Sequence, residues 1–245
     1  MPPRIKATLR TVALAACAAL CIAATGKSGR SLEAPRANWN GQVAVTDNGS
    51  YRLGNPNAPV KLTEYVSYTC SHCAHYQRES DPVLRLTVIP KGQVSVTVTN
   101  LVRNPVDLTV AMLTYCGDPK RFFVRHNAFF ATQDAWLAKA EAASQEQQQR
   151  WFQGRMIDRL RAIASDLGFY ATMAGWNIDR AQADACLDNP AMLDKLRAQQ
   201  AEVASLGLDS TPSFTLNGQV LPGHDWAAVS KSITDKLAEI HAGAI

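Results

Sequence analysis

The stretch EYVSYTCSHCAHY (residues 64–76) decides the fold and the chemistry that the rest of the chain must support. It places Cys70, His72, Cys73 and His75 within six positions. Three kinds of site use such a cluster: a covalent haem anchor, a structural zinc site and a redox-active cysteine pair. The flanking sequence distinguishes between them.

The haem and zinc sites fit the sequence poorly. A c-type haem anchor needs a histidine directly after the second cysteine, and Ala74 occupies that position. A structural zinc site needs four ligands, commonly in two pairs. Cys116 and Cys186 each stand alone, and the chain has no second CxxC motif. We therefore predict neither a metal site nor a cofactor.

A redox-active pair requires the CxxC motif to follow a strand and to open a helix. Residues 60–68, VKLTEYVSY, are rich in β-branched and aromatic side chains and predict a strand. A helical pattern follows over 70–88, and VSVTVTNLV (94–102) alternates as a second strand. This order predicts a βαβ unit with parallel strands, in which Cys70 begins the helix.

The position of each side chain in this unit suggests its role. Free N–H groups and the helix dipole stabilise a thiolate on Cys70, the predicted nucleophile, and Cys73 is the predicted resolving thiol one turn later. His72, between them, can add a donor or a positive charge. Strand alternation places Glu64 in an apolar row, where a buried carboxyl has a raised pKa and can exchange protons with Cys73. A strand-end carboxylate that reaches solvent is the alternative.

A second motif lies far along the chain, where GLDSTPSF (207–214) places Pro212 directly before a predicted strand. A cis peptide bond between Thr211 and Pro212 turns the Thr211 backbone outward, where a substrate peptide can pair with it. An ordinary trans proline that opens an edge strand fits the sequence equally well. Sequence physics alone leaves both open.

The first 26 residues have the character of a signal peptide. MPPRIKATLR is basic, and an uncharged run of fourteen residues follows that is too short to span a bilayer. We predict cleavage after Ala24 or Gly26, with lipidation at Cys17 as an alternative. Removal of three of the 25 basic residues leaves 22 against 21 acidic ones, which gives no indication of nucleic-acid binding.

The remaining chain divides by its pattern of predicted elements. Residues 27–57 are predicted as a tether and a hairpin, and 58–106 with 207–245 as one α/β domain. Between them, 107–206 is almost entirely helical in pattern, and Asp107 is the predicted cap of its first helix. The sequence thus predicts an α/β domain interrupted by a large helical insertion.

Four residues of the insertion carry further expectations. Cys116 and Cys186 lie near the ends of predicted helices, and they form either a structural disulfide or two buried thiols. His126 shows no ligand spacing and is predicted at the surface or at a helix end. Trp136 is predicted in the core of the insertion.

Taken together, these motifs resemble the DsbA-like thiol:disulfide oxidoreductases. The resemblance extends from about Gly54 to the C-terminus and includes GNPNAPVKLTEYVSYTCSHCAHY, the Thr-Pro pair before SFTLNG, and the helical insertion. It implies a thioredoxin fold with a large all-helical insertion. The site residues that it implies are the nucleophile Cys70, the resolving Cys73, the buried acid Glu64, the cis-proline Pro212 and its substrate-facing neighbour Thr211.

Two positions depart from the oxidants of this family. Ser71 stands where those members usually carry proline, and Thr211 replaces an aliphatic residue before the cis-proline. Because both positions contact the sulfurs in the family, the direction of electron flow stays open.

We predict a monomeric periplasmic oxidase that passes its Cys70–Cys73 disulfide to folding exported proteins with free thiols. The resemblance also implies a membrane redox partner that reoxidises or reduces the cysteine pair. A reductase or isomerase of the same fold is the first alternative. The second is a non-catalytic, chaperone-like module in which the cysteine pair is a static crosslink.

Overall fold

The computed structural model describes residues 37–243. The predicted signal peptide, Cys17 and the first part of the predicted tether lie outside the described residues. Within residues 37–243 the fold consists of one six-stranded sheet and ten α-helices, with two short 3-10 turns. Across this range, no helix combines the length and the apolar character needed to cross a membrane.

The sheet has the strand order β1-β2-β4-β3-β5-β6. Its central pair, β3 and β4, is parallel, as the βαβ pattern predicts, with Leu62 opposite Val96, and the other neighbours are antiparallel. Because β2 pairs with β4, the predicted N-terminal hairpin belongs to the sheet. The strands are β1 (Val43–Val45), β2 (Tyr51–Gly54), β3 (Val60–Val66), β4 (Val94–Asn100), β5 (Ser213–Leu216) and β6 (Gln219–Val220).

One helix connects β3 to β4, eight helices lie between β4 and β5, and one follows β6. The predicted α/β sheet interrupted by a helical insertion is therefore confirmed. In chain order the helices are α1 (Ser71–Thr87), α2 (Pro105–Thr114), α3 (Phe122–Ala131), α4 (Gln133–Glu141), α5 (Gln145–Phe152), α6 (Met156–Asp166), α7 (Phe169–Ala174), α8 (Arg180–Leu187), α9 (Pro190–Ser205) and α10 (Trp226–Gly243).

The core joins the sheet to the insertion through aromatic packing. Tyr51 of β2 stacks on Phe122 of α3 with ring centroids 4.0 Å apart, and Tyr68, just after β3, stacks on Phe130 at 4.9 Å. Trp136 is buried, as predicted. The end of β3 and the start of α1 are thereby packed directly against the helical insertion.

The start of α2 differs from the prediction. The helix begins at Pro105, and the Asn104 side chain caps it by accepting the Asp107 N–H at 2.9 Å. The prediction of Asp107 as the cap was wrong, because an asparagine followed by proline at the first helical position already completes the helix start. Asp107 is instead buried inside the first turn.

The prediction that His126 lies at the surface or at a helix end was also wrong. This side chain is fully buried in α3, between α1 and the loop after β3. His126 Nδ1 lies 2.8 Å from the Tyr68 hydroxyl, and Nε2 lies 3.4 Å from Gln77 Oε1. Burial lowers its pKa to about 3, with Arg85 adding to the effect, so the ring is neutral.

The two cysteines of the insertion form a disulfide. Cys116, just after α2, is bonded to Cys186 in α8, with their Cα atoms 5.6 Å apart and a sequence separation of 70 positions. This bond resolves the alternative that the sequence left open.

Candidate functional site

The cysteine pair of the CxxC motif lies where β3 ends and α1 begins. Cys70 is the N-cap of α1 in an extended conformation, and its Sγ accepts the Cys73 N–H at 3.4 Å. An extended N-cap followed by helical residues aims the first backbone N–H groups at the capping side chain. Both cysteines are buried free thiols, with relative exposures of 5% for Cys70 and 1% for Cys73.

The two thiols differ sharply in acidity. The pKa of Cys70 falls to about 5, chiefly because the Cys73 thiol hydrogen-bonds to its sulfur. Thr211 and the backbone N–H groups of Cys73 and His72 lower it further, against the effect of burial. Burial raises the pKa of Cys73 well above its ordinary value, and the neighbouring Cys70 adds to the rise. At neutral pH one sulfur is a thiolate and the other a thiol.

The Thr-Pro motif faces this pair across the fold. The Thr211-Pro212 peptide bond is cis, and the Thr211 carbonyl oxygen lies 3.2 Å from Cys70 Sγ. His224, to which the sequence assigned no role, donates from Nδ1 to the Pro212 carbonyl at 2.7 Å. The structure thus brings the Thr211 carbonyl, 141 positions away in sequence, to the Cys70 sulfur, with Pro212 next to Thr211 in the chain.

Ser71 and His72 between the cysteines, and His75 just after them, lie at the surface. The backbone N–H of His72 contributes to the acidity of Cys70. His75 Nε2 lies 3.4 Å from Glu79 Oε1, one turn further along α1. A role for the His72 side chain therefore stays a prediction.

Glu64 is buried, as its place in the apolar row of β3 indicated. Burial raises its pKa to about 8, against the hydrogen bond from the Tyr76 hydroxyl, which lies 2.9 Å from Oε1. A cavity of about 10 Å³ beside the carboxyl, also lined by Gln77 and Ser80, has room for about one water molecule. Since Tyr76 is its hydrogen-bond partner within residues 37–243, proton exchange with Cys73 stays a prediction.

Two buried residues of the insertion, Asp107 and Gln133, hold the segment that leads into Cys70. The Asp107 carboxylate accepts the Tyr68 N–H at 2.7 Å and the Ser67 hydroxyl at 2.6 Å. Burial raises the pKa of Asp107 to about 6 despite these bonds. Gln133 Nε2 donates to the carbonyls of Tyr68 and Cys70. The Asn-Pro pair at residues 104 and 105 could have indicated that Asp107 lies in the first turn of α2. The sequence carries no signal that Gln133 contacts the backbone before Cys70.

An apolar groove of about 330 Å³ is lined at one point by Thr69, the residue before Cys70 in sequence. Val106, Leu137 and Trp151 line it, and Phe152 at its edge is 57% exposed. Among residues 37–243, no group of three or more His, Cys, Asp or Glu side chains has the arrangement needed to hold a metal ion.

Comparison with known proteins supports the fold. The thioredoxin family model matches residues 46–235, which is more than half of the chain. Among solved structures, a protein-disulfide isomerase from Novosphingobium aromaticivorans is 42% identical with a TM-score of 0.73, and the match covers 76% of this chain and 96% of that one.

Two further relatives are more distant. Wolbachia pipientis alpha-DsbA1 is 20% identical with a TM-score of 0.62, over 80% of this chain and 94% of that one, and it shares the fold. A curated protein of Rickettsia bellii, named "Putative protein-disulfide oxidoreductase", is 23% identical over 195 residues. That match covers 79% of this chain but 66% of the relative, so the chain spans just under two thirds of the relative's length.

Proposed function

The chain belongs to the thioredoxin family and has a DsbA-like fold, and on that premise we propose that it is a thiol:disulfide oxidoreductase whose reactive pair is Cys70 and Cys73. The observation that carries this proposal is the difference in acidity within one helical turn. A low pKa on Cys70 and a raised one on Cys73 suit a nucleophile and a resolving thiol. Substrates approach beside the Thr211 backbone and the cis-proline, Pro212.

The reaction is a two-step thiol–disulfide exchange. A substrate thiolate attacks Cys70 Sγ of the oxidised pair, which breaks the Cys70–Cys73 bond, forms a mixed disulfide and leaves Cys73 to take up a proton. A second substrate thiolate then attacks the substrate sulfur of the mixed disulfide and releases Cys70 as a thiolate. The substrate loses two electrons and two protons and gains a disulfide. The electrons reduce the Cys70–Cys73 bond, Cys73 takes up one proton, and the other proton passes to solvent because Cys70 stays a thiolate.

We propose that the exchange runs in the oxidising direction in the periplasm, on folding exported proteins with free thiols. A stabilised Cys70 thiolate favours the dithiol over the disulfide, which makes the disulfide a stronger oxidant by about 30 mV for each 1.4 kcal/mol. In this proposal the protein acts as a monomer, and a membrane redox partner restores the disulfide after each turnover. The signal-peptide character of residues 1–26 supports export.

An isomerase of the same fold is the second candidate, because the relative with 42% identity is titled a protein-disulfide isomerase. In that case the dithiol is the working form, and the Cys70 thiolate attacks incorrect disulfides in a client. Ser71 and Thr211, which depart from the oxidant pattern, favour this alternative. A non-catalytic module in which the pair is a static crosslink is the third.

The reduction potential of the Cys70–Cys73 pair tests the proposal. The protein is equilibrated in glutathione buffers, and mass spectrometry follows Cys116 and Cys186 separately. A reduction potential of about −120 mV, that of a strong disulfide donor, is expected. A reduction potential of about −270 mV, that of thioredoxin, would reverse the proposed direction of electron flow and make the protein a reductase.

Single-cysteine variants separate catalysis from a static crosslink. Cys70→Ser is expected to abolish disulfide transfer to a reduced, unfolded client. Cys73→Ser is tested on a client that carries a disulfide: the Cys70 thiolate attacks that bond, releases one client thiolate and is expected to accumulate as a mixed disulfide, because no second thiol on the protein resolves it. Transfer that survives Cys70→Ser would contradict the assigned nucleophile. Failure of the wild-type pair to exchange with glutathione would favour the static crosslink.

A further inference from the structure

The Gln133 side chain reaches from the helical insertion to the backbone of the nucleophile. Gln133 is the first residue of α4 and is fully buried. Its Nε2 donates to the Tyr68 carbonyl at 2.7 Å and to the Cys70 carbonyl at 2.9 Å. Two carbonyl acceptors at one amide fix its orientation, because the flipped amide would aim Oε1 at both oxygens.

The backbone that Gln133 holds has no sheet partners of its own. β3 ends at Val66, so the residues that lead into Cys70 lie beyond the strand ladder. Asp107 accepts the Tyr68 N–H, and Gln133 donates to the Tyr68 carbonyl. Side chains of the insertion therefore bind both backbone polar groups of Tyr68, two positions before the nucleophile.

The Cys70 carbonyl also opens the hydrogen-bond ladder of α1, where it accepts the Ala74 N–H at 3.2 Å. By donating to this carbonyl, Gln133 fixes the orientation of the peptide group between Cys70 and Ser71, from which the first turn of α1 starts. The N–H groups of His72 and Cys73 belong to that turn, and they are the backbone donors that stabilise the Cys70 thiolate. Gln133 thus contacts the peptide group whose orientation decides whether those donors meet the sulfur.

We propose that Gln133 is a positioning residue, through which the helical insertion keeps the Cys70 sulfur aligned with the N–H groups that stabilise its thiolate. The inference rests on the proposed function in that Cys70 is taken as the nucleophile. Gln133 itself does not touch the sulfur. Loss of its two bonds leaves the buried Tyr68 carbonyl without its donor and leaves the Cys70 carbonyl with the Ala74 N–H alone, so the backbone between them is held less firmly.

The test replaces Gln133 with methionine, which keeps the length of the side chain and removes both donors. Gln199→Met is the matched control, because Gln199 is also a fully buried helix glutamine with hydrogen bonds at both ends of its amide, to Tyr115 and Asn100. Both variants are made in the full chain. The pKa of Cys70 is measured from thiolate absorbance against pH, and the reduction potential in glutathione buffers.

We expect Gln133→Met to lower the acid dissociation constant of the Cys70 thiol about tenfold, which corresponds to the loss of about one net hydrogen bond to the thiolate. The pKa of Cys70 then rises by about one pH unit, and a tenfold lower equilibrium constant with glutathione makes the potential about 30 mV less oxidising. Gln199→Met is expected to lose stability and to leave both values at those of the wild type. Equal values in all three proteins would overturn the proposal and leave Gln133 a purely structural residue.

A measurement on the wild-type chain covers the case in which Gln133→Met does not fold. The side-chain amide protons of Gln133 are expected to exchange with solvent far more slowly than those of the exposed Gln148, and to change chemical shift between dithiol and disulfide forms. Exchange as fast as that of Gln148 would also overturn the proposal. A wild-type protein with an ordinary Cys70 pKa would instead count against the proposed function.

Discussion

Cys70 and Cys73 are chemically identical side chains three residues apart, and the fold gives them different acidities. Cys70 caps the helix, so its sulfur receives hydrogen bonds from the first turn. Cys73 lies within that turn and is almost inaccessible to solvent, which disfavours its charged form. The same helix start therefore produces a reactive sulfur and a protected one.

Glu64 leads to a prediction about pH and stability. Its pKa is raised from about 4.5 to about 8, so the folded protein keeps a proton that the unfolded chain releases as the pH rises through this window. Stability is then full below about pH 4.5 and falls as the pH rises toward 8. Glu64→Gln, which keeps an acceptor for Tyr76, removes this loss. We expect the variant to be more stable than the wild type at pH 8, by on the order of 4 kcal/mol.

Urea unfolding of both proteins at several pH values between 4 and 9 measures this difference. Glu79→Gln is the control, because Glu79 is an exposed carboxyl on the same helix, and its curve is expected to follow that of the wild type. A constant difference between Glu64→Gln and the wild type across the whole pH range would show that the Glu64 carboxyl does not titrate in this window.

At the scale of the elements, the junction between β3 and α1 depends on the helix that follows β4. The Asp107 carboxylate lies in the first turn of α2, where the helix dipole favours a negative charge. It binds Ser67, the Tyr68 N–H and the Arg103 N–H, and so ties the end of β3 to the start of the insertion. One buried side chain thus joins two elements that are separate in sequence.

Asp107→Ala is expected to lower the free energy of unfolding by about 2 to 3 kcal/mol, because it leaves buried backbone donors without an acceptor. Chemical denaturation at pH 7 measures the loss. Asp118→Ala is the matched control, since the Asp118 carboxylate also accepts a backbone N–H, that of Lys120, but at the surface. We expect it to cost about 1 kcal/mol or less. Similar losses in the two variants would contradict the bridging role of Asp107.

At the scale of the whole molecule, the Cys116–Cys186 disulfide closes most of the helical insertion into one loop. It joins the end of α2 to α8 across 70 residues. A crosslink over a loop of this length restricts the unfolded chain and stabilises the fold by about 4 kcal/mol in the chain-entropy model.

Replacing both Cys116 and Cys186 by serine is expected to lower the free energy of unfolding by about 4 kcal/mol, because the unfolded chain is then no longer crosslinked. The comparison is best made with Cys70 and Cys73 also replaced by serine, so that only one disulfide contributes. A urea midpoint that does not move on removal of the pair would show that the loop is already constrained in the unfolded state.

The sequence by itself determined the features that depend on neighbouring residues. The CxxC motif between a strand pattern and a helix pattern indicated the βαβ unit, and the predicted order of strands and helices is confirmed. The apolar row of β3 predicted a buried Glu64. These features follow from backbone preferences and side-chain alternation over a few positions, so a short stretch of sequence carries them.

Only the tertiary structure decided which distant groups meet. The sequence left the pairing of Cys116 and Cys186 open, and it placed His126 at the surface although packing of α3 buries it. The hydrogen bonds that Gln133 makes to the Cys70 region join residues 63 and 65 positions apart. Such contacts exist only after the helices pack on the sheet, because they join groups that lie far apart in sequence and that no short stretch of chain can bring together.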